Sequence, residues 1–227
     1  MKKKLVILTG AGMSAESGIS TFRDSNGLWE NHDIKEVASP EGWRKNPALV
    51  LDFYNKRRAQ LKEVTPNRGH EIIAELEQKF DVQIITQNVD NLHERAGSSK
   101  ILHLHGELTK VRSTENSDYI INWSEDLHIG DMAPDGSQLR PHIVWFGEAV
   151  PGINQAIPML EKADILIIIG TSLQVYPAAG LMHYTRTDTP IYYIDPKPAS
   201  VNNLPNPIEI IPLSASEGMK NLVERGI

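Results

Sequence analysis

Residues 5–29 read LVILTGAGMSAESGISTFRDSNGLW. Four apolar residues, Leu5 to Leu8, run unbroken into Thr9 and Gly10. An apolar run closed by glycine is the pattern of a parallel strand buried on both faces. Gly10 and Gly12 then let the backbone turn sharply and approach a ligand closely, as in the first turn of a dinucleotide-binding sheet. The third glycine of that fingerprint is missing. Ser14, Ser17, Phe22, Arg23 and Asp24 follow instead, a segment too polar for the first turn of a packed helix. Arg23 and Asp24 would lie over a ligand like a flap. Many GxG turns bind nothing, so this loop alone leaves ligand binding open.

The same pattern of apolar strand followed by polar loop recurs along the chain. VQIITQNVD from Val82 runs into Gln87, Asn88 and Asp90. KILHLHGEL from Lys100 reaches His105 and Gly106, DILIIIGTSLQVYPAA from Asp164 reaches Gly170, Thr171 and Ser172, and PIYYIDP from Pro190 reaches Asp195. Between these runs, residues 47–63, 70–79 and 156–163 read as helices, with another at 216–225. In the first of them Pro47 suits the opening turn, and Leu51, Tyr54, Arg58 and Leu61 share one side. The alternation predicts an α/β fold, a Rossmann-like doubly wound parallel sheet. In such sheets ligands bind beyond the carboxyl ends of the strands, and all five polar clusters fall there.

Residues 107–140 are polar and turn-rich, with one apolar patch at Tyr119, Ile120, Ile121 and Trp123. They read as a small inserted module with a minimal core. PHIVWFGE from Pro141 returns to strand. The expected division is a nucleotide-binding domain over 1–106 and 141–227, a module over 107–140, and a helical insertion within 25–70 beside the cleft.

The 227-residue chain has a net charge of −6, which argues against sequence-independent nucleic-acid binding. It has no cysteine, so a disulfide framework, a thiolate nucleophile and a Cys-ligated zinc site are excluded. The apolar stretch in MKKKLVILTG is too short for a signal-peptide core, and no run approaches a membrane span. A cytoplasmic protein is expected.

Several residues stand between a chemical and a plain structural reading. Gln87, Asn88 and Asp90 suit a ribose or carboxamide, or an Asx-rich turn. His105 is a general-base candidate at a strand's carboxyl end, or a structural histidine before glycine. His103 shares its face by two-residue alternation and is packed or on the surface. Asp195 is the nearest analogue of a ribose-reading acid, or a turn residue before Pro196. No serine-hydrolase elbow and no HExxH spacing accompany them.

Taken together, GAGMSAESGISTFRDSNGLW, TQNVDNLHERAG, LHLHGEL, RPHIVWFGE and GTSLQVYPAA resemble, in order, the motifs of the sirtuins, NAD-dependent protein lysine deacylases. The resemblance runs from about Leu5 to the C-terminal helix. It implies NAD held between the nucleotide-binding domain and the module. Gly10, Ala11, Gly12, Ser14, Phe22 and Arg23 match the cofactor loop, and Gln87, Asn88 and Asp90 the ribose and nicotinamide pocket. Gly170, Thr171 and Ser172 match adenosine-side contacts, with Asp195 near the adenosine ribose and Ala215 near the adenine. His105 matches the catalytic base, with Asn88 beside it. Val144, Phe146, Gly147 and Glu148, with Gln174 to Tyr176 and Val175 among them, would clasp the substrate backbone as a strand. The implied reaction breaks the nicotinamide–ribose bond after attack by the acyl oxygen, then uses His105 to deprotonate a ribose hydroxyl. It yields free lysine, nicotinamide and O-acyl-ADP-ribose, so NAD is consumed rather than reduced.

Two departures matter. The family's module usually holds zinc on two cysteine pairs. Here Ser113, Met132 and Asp135 fall near the thiolate positions, no zinc is expected, and His128 with Asp131 reads as plain surface. Second, Tyr54 and Arg57 stand three apart on one helix face and resemble the Tyr-x-x-Arg of class III sirtuins. That class favours succinyl, malonyl and other acidic acyl groups. The expected substrates are acyl-lysine proteins or peptides, for a monomer with no nucleic-acid or membrane partner. Alternatives are a mono-ADP-ribosyltransferase on the same site and a non-catalytic NAD or ADP-ribose binding module; a hydride-transfer enzyme fits least.

Overall fold

The computed structural model describes residues 2–20, 28–29 and 32–227. Strand β1 (Lys4–Thr9) leads into the single-turn helix α1 (Gly12–Ala15). A short antiparallel pair, β2 (Leu28–Trp29) and β3 (His32–Asp33), precedes helices α2 (Ile34–Val37), α3 (Pro40–Lys45), α4 (Pro47–Glu63) and α5 (Arg68–Leu76). Strand β4 (Asp81–Thr86), helix α6 (Leu92–Arg95) and strand β5 (Ile101–His103) follow. The module contributes β6 (Gly106–Ser113), β7 (Ile120–Asn122) and β8 (Leu139–Ile143). Helix α7 (Ile153–Glu161), β9 (Ile165–Ile169), a 3-10 helix (Ala178–Tyr184), β10 (Ile191–Ile194), β11 (Ile208–Ile211) and α8 (Ala215–Glu224) complete the chain.

Among the described residues, six strands form one parallel sheet in the order β11-β10-β9-β1-β4-β5. Strand β1 lies near its middle and is buried along Leu5, Val6, Ile7 and Leu8. Leu5 and Ile7 face the layer built by Ile72, Ile73 and Leu76 of α5 and Met219 and Leu222 of α8. Val6 and Leu8 face Ala156 and Leu160 of α7 and Leu181 of the 3-10 helix. Each such side chain contributes about 1.5–3 kcal/mol by leaving water. The predicted doubly wound sheet is therefore present, with helices on both faces. Helix α4 spans the predicted residues, opened by Pro47 behind an Asn46 side-chain cap. Helix α5 begins two residues before its predicted start, because Asn67 caps it and His70 returns the bond to the Asn67 amide.

The module differs from expectation in extent. β6 pairs antiparallel with both β7 and β8, and its register reaches Gly106 opposite Ile143. The strand expected from Pro141 onward is thus the edge of the small sheet, ends at Ile143, and adds nothing to the large one. Pro141 lacks an N–H, which suits an edge position. The expected apolar patch is also divided. Tyr119, Ile121 and Trp123 pack on Val111, Leu127, Ala133 and Leu139, with Leu51 from α4, whereas Ile120 is exposed. Alternation along a strand turns neighbours to opposite faces. β11 has no counterpart in the expectations: it is a half-buried edge strand between Pro207 and Pro212 with a weak apolar signal.

At the tip of the module, Ser113 and Asp135 meet, while Met132, the third residue near the expected thiolate positions, is exposed and apart. The Ser113 hydroxyl is 2.7 Å from both Asp135 Oδ2 and Ser137 Oγ, and it accepts the amides of Glu115 at 3.0 Å and Asn116 at 2.8 Å. Asp135 also accepts the Ser137 amide at 3.0 Å and its hydroxyl at 2.7 Å. One buried serine thereby joins two turns. Ser113→Ala strands these partners, and we expect a loss of about 2 kcal/mol in urea denaturation. A chelator is expected to leave the wild-type Tm unchanged; stoichiometric zinc in the purified protein would contradict this account.

Candidate active site

The order of the large sheet reverses between β1 and β9: the chain leaves β1 toward β4 and β5, then returns to build β9, β10 and β11 on the other side. A crevice opens at such a switch point, beyond the carboxyl ends. Here the two loops touch backbone to backbone. Gly10 N donates to Ile169 O at 3.0 Å and Gly12 N to Gly170 O at 2.8 Å. A Cβ on Gly12 would lie 2.7 Å from Gly170 Cα, and one on Gly170, whose φ is +62°, would lie 2.3 Å from Met13 N. Neither position admits a side chain, so the crevice floor is bare backbone.

Beyond this floor lies a connected polar cluster. The Ser14 hydroxyl donates to Asp90 Oδ2 at 2.9 Å and accepts from Asn88 Nδ2 at 3.1 Å. Gln87 Nε2 donates to Thr171 Oγ1 at 3.2 Å, tying the β4 loop to the β9 loop. Burial pushes the Asp90 carboxyl up, against the Leu92 amide and the Ser14 hydroxyl, which lower it. His105 Nδ1 is 3.1 Å from Gln87 O. A carbonyl only accepts, so Nδ1 carries the proton and Nε2 holds the lone pair. Burial moves the His105 pKa below its ordinary value, only partly offset by that carbonyl. The ring is therefore a neutral base of fixed tautomer.

The sheet supports this cluster through residues that the motifs did not single out. Thr9 and Thr86 face each other in register at the ends of β1 and β4. The Thr9 hydroxyl donates to Thr86 Oγ1 at 2.8 Å, and Thr86 Oγ1 accepts the Asn88 amide at 3.0 Å. His93 Nε2 sits 3.2 Å from Thr9 Oγ1. The His93 ring meets His70 at 4.8 Å, both fully buried. His93 Nδ1 and His70 Nε2 have no hydrogen-bond partner among the described residues. The available signal was polar Thr9 and Thr86 closing two apolar strands at matched positions.

Other expected residues are placed as follows. Asp195 directly follows β10, is buried, and accepts the Lys197 amide at 2.8 Å, the turn geometry of its simpler reading. Ala215 opens α8 inside the core. Ala11 caps α1, and Ser172 follows Gly170 and Thr171 in the loop after β9. Phe22 and Arg23 lie outside the described residues. Neither 144–148 nor 174–176 is a strand. Phe146, Val175 and Tyr176 are exposed, and Gly147 has a φ of +91°. Glu148 faces inward. Its carboxylate binds Arg140 at 2.7 Å, Arg112 at 3.3 Å and the Trp145 amide at 2.8 Å, so it braces the loop. Tyr54 and Arg57 are both buried on α4, and Trp145 Nε1 donates to the Tyr54 hydroxyl at 3.0 Å. Burial raises the Tyr54 pKa, so the phenol keeps its proton.

A doubly wound sheet with a glycine floor at its switch point, a small antiparallel module and a neutral histidine at the strand tips defines a nucleotide-using enzyme of the Rossmann-like class. The Sir2 family profile matches residues 10–177, and the chain belongs to that family. It is similar to an NAD-dependent protein deacylase of Helicobacter pylori, 61% identical over 223 residues, 98% of this chain and 97% of that one. A Bacteroides thetaiotaomicron protein of the same name is 59% identical over 226 residues, 97% and 96% of the two chains. Among solved structures, a Sir2 homologue in complex with NAD superposes with a TM-score of 0.86 at 39% identity, covering 99% of this chain and 89% of the other. A mutant Sir2 homologue with ADP-ribose gives 0.89 at 38%, covering 98% and 91%.

The buried histidines set a pH dependence. Burial pushes His70 down to about 4 and His93 well below its ordinary value. As pH falls below about 6.5 the unfolded chain binds protons first, so this contribution is complete above that pH and is lost progressively toward pH 4. His70 alone accounts for roughly 3 kcal/mol over the window. We expect the urea midpoint to fall between pH 7 and pH 5. His70→Gln keeps an acceptor for the Asn67 amide, and should flatten that fall.

Proposed function

We propose that this chain removes acyl groups from protein lysines at the expense of NAD, and that it favours acyl chains ending in a carboxylate. The reaction class, NAD-dependent protein deacylation, rests on Sir2 membership and on relatives of that name aligned over almost the whole chain. The close backbone contact at Gly10, Gly12 and Gly170 suits a dinucleotide, because glycines at a switch point let main-chain amides approach a pyrophosphate. Bound NAD supplies a ribose carbon from which nicotinamide can leave.

The observation that carries the catalytic reading is His105, neutral and held by Gln87 O with its Nε2 lone pair free of that bond. Nε2 takes the proton of a ribose hydroxyl, turning it into a nucleophile. Ser14, Asn88 and Asp90 hold one another in place, so the groups facing the ribose are fixed before it arrives. Phe146, Val175 and Tyr176 offer exposed apolar surface to a peptide.

The acyl preference rests on α4. Arg57 and Tyr54 share one buried face, and a guanidinium with a phenol binds a carboxylate through several hydrogen bonds at once. An uncharged acetyl group engages neither.

His105→Tyr is expected to lower NAD-dependent deacylation by about 100-fold or more while NAD still binds. Mass spectrometry of the peptide should show loss of the acyl group; addition of ADP-ribose would indicate transferase activity instead. Arg57→Met should cut kcat/KM for a succinyl-lysine peptide by about tenfold or more and spare the acetyl-lysine peptide. A succinyl preference that survives the substitution would remove Arg57 from this role.

A further inference from the structure

His103 at the end of β5 and His105 just beyond it bind successive carbonyls of the β4 loop. His105 Nδ1 meets Gln87 O at 3.1 Å, and His103 Nδ1 meets Asn88 O at 3.0 Å. By the same logic both Nδ1 atoms carry protons. Their outer nitrogens differ. His103 Nε2 lies 2.7 Å from Glu94 Oε1. A carboxylate accepts only, so Nε2 is protonated as well, and His103 is an imidazolium held between Glu94 and Asn88. Burial opposes that charge, but Glu94, the Asn88 carbonyl and Glu107 outweigh it and raise the His103 pKa. Glu107 is itself engaged by Lys110 at 2.7 Å, which leaves Glu94 as the direct partner. The His103 side chain is only 8% exposed, whereas Glu94 is 39% exposed.

We propose that the Glu94–His103 pair is a positioning device for the Asn88 peptide, and through it for the step that splits NAD. Asn88 is tied at three points: its amide to Thr86, its side chain to Ser14 and its carbonyl to His103. The first two belong to the β1–β4 edge of the site. The third alone reaches across to β5, whose last residue is His103 and which is followed two residues later by His105. Together with the His105–Gln87 O bond, it fixes the ribose-facing amide relative to the base. Glu94 acts one step further out, fixing the ring so that Nδ1 points at the carbonyl. The inference rests on the assignment of Asn88 and His105 to the reaction.

The test is steady-state nicotinamide release with an acyl-lysine peptide by wild type, His103→Phe, Glu94→Ala, Glu94→Gln and His105→Tyr. His103→Phe removes the donor and should lower kcat about tenfold, because small misplacements of reacting groups are costly, while KM for the peptide stays within about twofold. Glu94→Ala should fall in the same direction. Glu94→Gln can donate its amide to a neutral Nε2 and hold the ring, so it should recover most of the Glu94→Ala loss. Since Glu94 is on the surface, its variants test the idea even where His103→Phe fails to fold. Unchanged kcat in His103→Phe, or equal losses in Glu94→Gln and Glu94→Ala, would overturn the proposal. Full activity in His105→Tyr would instead overturn the underlying assignment.

Discussion

The structure depends on one close approach: the loop after β1 lies against the loop after β9 with no side chain between them. Parallel strands bring their carboxyl ends to one edge, but only the switch in strand order leaves a crevice there. Gly10, Gly12 and Gly170 keep its floor at backbone thickness. Everything chemical is arranged around that floor. Gln87 reaches Thr171 across it, and Ser14 collects Asn88 and Asp90 at its rim. A single methyl group in the contact would force the two loops apart.

Around the crevice, charge state is decided by neighbours rather than by residue type. His103 and His105 follow one another at alternate positions, and each gives a proton to a main-chain carbonyl. One carboxylate, Glu94, makes the first a cation, and its absence beside the second leaves a base. The same holds at Glu148, whose carboxylate is spent on two arginines and an amide. Arg140 in turn lies 3.2 Å over the Trp145 ring, and Trp145 holds the Tyr54 hydroxyl. Tyr54 and the loop at Trp145 are therefore braced from behind by these ions.

The parts legible in the sequence were those in which one short stretch contains its own explanation. Leu5 to Leu8 with Gly10 and Gly12 announces a buried strand and a close turn, and residues 47–63 carry both the cap and the stripe of α4. What stayed hidden depends on distant pairing. β8 reads like any strand until its register with Gly106 assigns it to the module. Ile120 and Ile121 differ only in the face they present. Thr9, Thr86 and His93 look like strand ends and helix padding until the sheet sets them side by side. Glu148 lies in a motif associated with substrate, and its partner Arg112, 36 residues away in sequence, is brought to it only by the fold of the module. Phe22 and Arg23 lie in a part of the loop outside the described residues.

The serine–aspartate junction at the tip of the module has a broader meaning. A lobe clamped by metal–thiolate bonds is exposed to oxidants and to competition for metal ions. This chain has no thiol to lose, and Asp135 is held by Ser137 and Ser113 below its ordinary carboxylate range. Hydrogen bonds to one carboxylate, together with the apolar cluster of Val111, Leu127, Ala133 and Leu139, therefore hold the lobe where no sulfur is available to oxidise.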